Sequence, residues 1–261
     1  MQTRNVPLWA DEELNEVVMT VYEPTERKND SAVVIFPGGG YRQRCPHEGK
    51  AYAEFLNEQG IFAVVVEYRV APHAFPLPLA DAQRAIQTVR HFADDYGVDK
   101  NKIVAMGSSA GGHLTALLST YRKLAYTDVA DEISKENFTP NGQILCYPVV
   151  DLRNEIRHEA SAERLLGDNP PELLEKLSPN LTADENTPPA FIWHTFTDNV
   201  VDVRNSLEYA KRLKAVGGNC ELHIFPEGNH GFGLALGEER ARIYASKWKN
   251  LMLDWLQLKG F

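Results

Sequence analysis

Six short apolar runs, rich in β-branched and aromatic residues, recur along this chain with helical patterns between them. They are SAVVIF (31–36), IFAVVVEY (61–68), KIVAM (102–106), QILCYPVV (143–150), PAFIWHT (189–195) and CELHIF (220–225). Runs that are apolar at consecutive positions, without alternation, suit strands covered on both faces. Between them Leu79, Ala82, Ile86, Val89 and Ala93 keep helical spacing. So do Val203, Leu207, Ala210, Leu213 and Val216, and likewise Ala241, Ala245, Trp248, Met252 and Trp255. Such a stripe is one face of an α-helix laid on a sheet. Strand–helix alternation over the whole chain predicts an α/β fold, a mostly parallel sheet flanked by helices on both faces. A further strand over 16–22 is expected at an edge, and Gly60 and Gly217–Gly218 stand where helix C-caps belong.

A length of 261 residues admits one large α/β domain or two small ones. No internal repeat or low-complexity linker divides the chain, so a single domain over 1–261 is expected. Residues 121–142 and 152–187 interrupt the rhythm. The second stretch, with Pro170–Pro171 inside it, is long enough for a small cap-like excursion over a site but not for a lid domain. The net charge of −9 argues against nucleic acid or an anionic membrane as a partner, since both reward a basic face. Three widely spaced cysteines with no C-x-x-C predict no metal site and no disulfide framework, and suit a reducing cytoplasm. The N-terminus lacks the apolar segment of a secretory signal, and no apolar stretch nears ~18 residues, so a cytoplasmic protein without a membrane partner is expected.

Ligand sites in open parallel sheets lie at the carboxyl ends of the strands, so the segments after strands are where chemistry is sought. GSSAG (107–111) follows KIVAM and precedes a helical pattern. Gly-x-Ser-x-Gly alone is weak, arising by chance in about one chain of this length in ten. In this context the small residues permit a sharp strand-to-helix turn that pushes Ser109 out at the sheet edge. A serine hydroxyl needs a base to become a nucleophile. His113 lies one helical turn on and is expected to pack within the helix; His194 and His223 lie inside strands. His230 sits in the Gly-flanked loop PEGNHGFG after the last strand, where packing calls for no imidazole, and is the candidate base. Asp198, after PAFIWHTFT, is the candidate acid that fixes the tautomer of that base. Its neighbour Asp202 has a local use at the start of the next helix. The order Ser109, Asp198, His230 is that of the α/β-hydrolase arrangement. PGGGY (37–41) follows another strand, and its glycines let backbone N–H groups approach a ligand. Gly39, Gly40 and Ala110 are the candidate oxyanion donors. Tyr41, Arg42, His47 and Glu48, next along that loop, are candidate contacts to a polar substrate.

A wider set of motifs resembles the esterase/lipase branch of the α/β-hydrolases: PGGGY, HEG (47–49), EYRVAP (67–72), FPLPLADAQRAI (75–86), GSSAGGHL (107–114), YPVVD (147–151), SPN (178–180), TPPAFIWHTFTD (187–198) and FPEGNHGFGLA (225–235). The chain is most similar to small carbohydrate acetyl esterases of the acetylxylan-esterase-like and feruloyl-esterase-like type, from about Pro7 to the last helix. The resemblance implies a sheet of about eight strands, a minimal cap, and a cofactor-free serine esterase with Ser109, Asp198 and His230 as its triad. It also implies that Arg69 and Asp81 hold loops together. Where the hormone-sensitive-lipase group carries His before its three glycines, this chain has Pro37, so that group's substrates do not carry over. Nothing builds the long apolar tunnel of a lipase, which favours short acyl groups, acetyl above all, on a small ester that could be an acetylated sugar. A homo-oligomer is compatible with the sequence. Two alternatives share the same residues: a small amidase or arylformamidase using the triad, and a non-catalytic ligand receptor on a hydrolase scaffold.

Overall fold

The computed structural model describes residues 2–9, 17–125, 129–153 and 155–261. Its strands are β1 (Gln2–Pro7), β2 (Val18–Glu23), β3 (Ala32–Phe36), β4 (Phe62–Val66), β5 (Ile103–Ser108), β6 (Gly142–Cys146), β7 (Ala190–Thr195) and β8 (Cys220–Phe225). They form an eight-stranded sheet in the order β1-β2-β4-β3-β5-β6-β7-β8. β1 and β2 pair antiparallel, as do β2 and β4, and the remaining neighbours pair parallel. The helices are α1 (Lys50–Glu58), α2 (Leu77–His91), α3 (Ala93–Tyr96), α4 (Ser109–Thr120), α5 (Glu159–Leu166), α6 (Leu173–Lys176), α7 (Pro179–Thr182), α8 (Arg204–Ala215), α9 (Arg240–Ala245) and α10 (Trp248–Lys259). None of the described helices is long and apolar enough to cross a membrane. This is the α/β-hydrolase arrangement that the alternation of runs predicts.

Consecutive side chains of a strand point to opposite faces, and the continuous apolar runs feed cores on both faces of the sheet. Val34, Phe36, Val64, Val66, Ile103 and Ala105 face α2 and α4. Val33, Ile35, Ala63, Val65, Val104 and Met106 face α1 and α10. Both sets are almost wholly buried, which explains why these strands carry no polar alternation. The α2 stripe from Leu79 to Val89 is buried as expected.

Three local expectations are corrected, and one strand, β1, goes unannounced in the sequence. The edge strand expected over 16–22 runs from Val18 to Glu23, and the start expected at residue 16 lies outside the described residues. β1 has no apolar period to announce it, because it is an exposed edge whose order comes from the ladder to β2. β6 ends at Cys146, short of 150, because Tyr147 takes a positive φ of 38° and Pro148 follows. The α8 stripe is rotated. Leu207 is 41% exposed, and the covered positions are Asn205, Ser206, Tyr209 and Leu213. Tyr209 donates to Gln143 Oε1 and Asn205 Oδ1 accepts the N–H groups of Val150 and Asp151. Polar side chains that pin loops in this way earn no weight in a hydropathy pattern.

Residues 152–187 contribute α5, α6 and α7. Arg164 on α5 donates from Nη1 to Gly40 O at 2.9 Å, which ties this segment to the loop after β3. Arg69 grips Asp81 through Nε and Nη2, and Trp9 Nε1 donates to the same carboxylate. This cluster holds the segment after β4 to α2, the loop-holding part that the resemblance implied.

Candidate active site

β5 extends two residues beyond the apolar run KIVAM, to Ser108, and α4 begins at the next residue. The strand-to-helix reversal is therefore confined to Ser109, which takes φ 53°. A non-glycine residue in that region costs on the order of 1–3 kcal/mol, so the surrounding structure must impose it. The flanking glycines make the reversal possible. A Cβ on Gly107 would run into the carbonyl of Gly111, and one on Gly111 into the carbonyl of Phe36 on the neighbouring strand. Both obstacles are backbone atoms that cannot move aside. The spacing of the motif is thus a packing requirement of strand, helix and adjacent strand meeting at one point.

His230 lies in the loop after β8. Its Nε2 is 2.8 Å from Ser109 Oγ and its Nδ1 is 2.7 Å from Asp198 Oδ2. An ionised carboxylate only accepts, so Nδ1 carries the proton and Nε2 accepts from the serine hydroxyl. Asp198 follows β7, and its Oδ1 accepts the N–H groups of Val200 and Val201. Burial works to raise the Asp198 carboxyl. The hydrogen bonds from His194, His230 and Val200 N–H, with the charge on His230, outweigh it and hold the group well below the usual carboxylate range. Asp202 instead accepts the N–H of Arg204 at the start of α8, the local use expected of it.

His194 was expected only to pack within its strand. It is fully buried, and its Nε2 reaches both Asp198 Oδ2 at 3.2 Å and Val201 O at 3.0 Å. Both are acceptors, so Nε2 carries the proton, and Nδ1 accepts from Ser206 Oγ at 2.8 Å. Asp198 therefore has two imidazole donors on one oxygen. The spacing His-x-x-x-Asp across a strand end was the available signal.

The N–H groups of Gly39, Gly40 and Ala110 find no protein acceptor among the described residues. Gly39 and Gly40 take φ values of 137° and 63°, a path closed to most other residues. The neighbouring Gly38 is different: its N–H is already taken, by Glu48 Oε2 at 3.0 Å.

Two candidate substrate contacts are corrected. Tyr41 is fully buried, its Oη donating to His113 Nδ1, and it offers no surface to a ligand. Glu48 is 2% exposed and lies beneath the loop that follows β3. Arg42 and His47 remain accessible, and His47 Nε2 lies 3.1 Å from Gly231 O in the histidine loop. At the start of α5, His158 Nδ1 pairs with Ser161 Oγ. Its pKa is lowered first by burial and then by the nearby His230 and Arg164 charges. Neither His158 nor Arg164 could be assigned from sequence, since the Arg164–Gly40 contact spans 124 residues.

His113 is fully buried between Tyr41 and Leu177 O, as packing within α4 requires. Burial pushes its pKa down from 6.5 to about 4, against the opposing bond to Leu177 O. The unfolded chain therefore binds this proton at a higher pH than the folded one. Stability from neutral His113 is full above about 6.5 and declines as pH falls toward 4, by about 3 kcal/mol over the interval. Urea titrations across pH 7 to 4 are expected to show a shallower slope in His113→Gln than in the unaltered chain. Equal slopes would exclude the buried neutral imidazole.

Residues 19–213 match the BD-FAE family. The chain is 37% identical over 219 residues to endo-1,4-beta-xylanase B of Butyrivibrio fibrisolvens, covering 81% of this chain and 34% of that protein. It is 34% identical over 214 residues to the acetylxylan esterase of Xylanibacter ruminicola, covering 80% of this chain and 42% of that protein. The chain thus spans well under half the length of these two relatives. Among solved structures it is similar to an acetyl ester-xyloside bifunctional hydrolase from Caldicellulosiruptor lactoaceticus, with a TM-score of 0.90 and 38% identity, covering 99% of this chain and 97% of that one.

Proposed function

This chain belongs to the BD-FAE family, and on that premise we propose that it is a serine esterase acting on short acyl esters of carbohydrates, acetyl esters foremost. The observation that carries the reading is the unbroken line Ser109 Oγ–His230 Nε2–His230 Nδ1–Asp198 Oδ2, with links of 2.8 and 2.7 Å. His230 takes the Ser109 proton as the oxygen attacks the ester carbonyl, while Asp198 steadies the imidazolium. The N–H groups of Gly39, Gly40 and Ala110 receive the oxyanion, ready-made because no protein acceptor competes for them. His230 returns the proton to the departing alcohol, and water repeats the cycle on the acyl-enzyme.

The sugar-ester part of the proposal is supported by the acetylxylan esterase and the acetyl ester-xyloside hydrolase to which the chain is similar. A panel of p-nitrophenyl acetate, butyrate and octanoate, an acetylated xylo-oligosaccharide and a matched anilide tests it. We expect kcat/KM to fall at least tenfold from acetate to octanoate and acetate to be released from the oligosaccharide. Turnover of the anilide alone would replace the esterase by an amidase, and inert esters throughout would remove the function.

A further inference from the structure

Glu48 holds the most unusual carboxylate outside the triad. It is 2% exposed, no Lys or Arg pairs with it among the described residues, and His47 Nε2 approaches only to 3.8 Å. Its two oxygens face different parts of the site. Oε2 accepts the N–H of Gly38, immediately before Gly39 and Gly40. Oε1 accepts the phenol O–H of Tyr147 at 2.7 Å. Tyr147 Oη in turn accepts the N–H of Gly233, three residues beyond His230, at 2.9 Å. The Tyr147 ring stands edge-on to the His230 imidazole with 5.0 Å between centroids. Tyr52 Oη backs this phenol at 3.3 Å and also reaches Ser108 Oγ at 3.0 Å, next to Ser109. One buried carboxylate therefore joins the oxyanion loop, the end of β6 and the histidine loop.

We propose that Glu48, acting through Tyr147, is a positioning residue that sets the oxyanion loop in register with His230. The inference rests on the esterase reading above. The Gly38 N–H points back into the protein at Glu48, and this fixes the peptide from which Gly39 and Gly40 present theirs forward. The Tyr147 bond places the histidine loop from the same anchor. A Cβ on Gly38 would collide with Glu48 Oε2 and with Ser108 O, so the carboxylate sits against the loop with no slack. Glutamine has the same shape but only one accepting atom. In Glu48→Gln the single amide oxygen can serve Gly38 N–H or Tyr147 O–H but not both. If it stays with Gly38, the NH₂ faces Tyr147 Oη, whose oxygen must then accept while its O–H turns away toward Tyr52.

The test compares Glu48→Gln, Tyr147→Phe and the double variant with the unaltered enzyme on p-nitrophenyl acetate, each checked by thermal unfolding. Because the arrangement is required for the oxyanion and not for holding the ground-state ester, kcat should fall about 10- to 100-fold in Glu48→Gln, part of the 10²–10³ lost with a whole oxyanion donor. KM should stay within about twofold. The double variant should lose less than the product of the two single losses, since Glu48 and Tyr147 act on the histidine loop through one shared bond. The rate at which a fluorophosphonate labels Ser109 should fall in parallel. Losses that multiply in the double variant, an effect on KM alone, or kcat unchanged in Glu48→Gln would each overturn the inference. If Glu48→Gln fails to fold, Tyr147→Phe alone decides by the same split between kcat and KM. Ester turnover that is abolished in Ser109→Ala yet unaffected by these variants would refute the positioning role and leave the esterase reading intact. Absence of turnover and labelling in the unaltered protein would refute the esterase reading first.

Discussion

Ser109→Ala is expected to lower kcat/KM on p-nitrophenyl acetate by on the order of 10⁵–10⁶ while leaving the fold in place. The hydroxyl touches the base His230 and lies beside the Ala110 N–H, which has no protein acceptor among the described residues. Removing it leaves no atom to carry the acyl group. The loss on the chemistry is large and the loss on stability small, because the side chain is 7% exposed at the sheet edge and alanine fills nearly the same space. Alanine inherits the φ of 53° and its strain, so no relief or added cost is expected from the backbone. His230→Ala should cost about as much. The double variant should be no worse than either single one, because the two groups act as a unit. Activity of Ser109→Ala within tenfold of the unaltered chain would remove Ser109 from the reaction.

Asp198→Asn is expected to cost about 10⁴ in kcat with little change in volume. Asn offers one oxygen and one NH₂ where the carboxylate offers two acceptors. Oδ1 of Asp198 serves Val200 and Val201, while Oδ2 serves both His230 and His194. If the amide oxygen stays with the backbone, the NH₂ faces Nδ1 of His230. That imidazole must then move its proton to Nε2, where it can no longer accept from Ser109. Asn also removes a group whose folded pKa is depressed. Such a carboxyl stabilises the fold above its ordinary value and ceases to do so as pH falls through the folded one. The Asn variant should therefore be less stable at neutral pH and lose less on acidification. Steady-state rates and acid titrations of the same preparation test both halves.

The sheet was readable because continuous apolar runs leave few alternatives to strands covered on both sides, and the α2 stripe followed from spacing alone. Ser109, Asp198 and His230 could be picked out by elimination, each at a strand end in a setting where packing had no need of it. The structure links Ser109 and Asp198 through hydrogen bonds to His230, across up to 121 residues of sequence. Legibility failed where a residue's importance lies in a long-range polar contact. Glu48 reads in the sequence as a candidate contact to a polar substrate, yet it is buried, with Tyr147, 99 residues away, and the Gly38 N–H both donating to it. Tyr41 failed in the same way, its hydroxyl belonging to His113. β1 was silent because QTRNVP has no apolar period, and only pairing with β2 orders it.

The measurement that bears most directly on the proposed chemistry is acid quenching of the enzyme during turnover of p-nitrophenyl acetate, followed by peptide mass spectrometry. An acetyl group on the peptide bearing Ser109, absent from Ser109→Ala, is the expected result. A chain that turns the ester over with Ser109 unmodified, or with the acetyl group carried elsewhere, would contradict nucleophilic catalysis by Ser109.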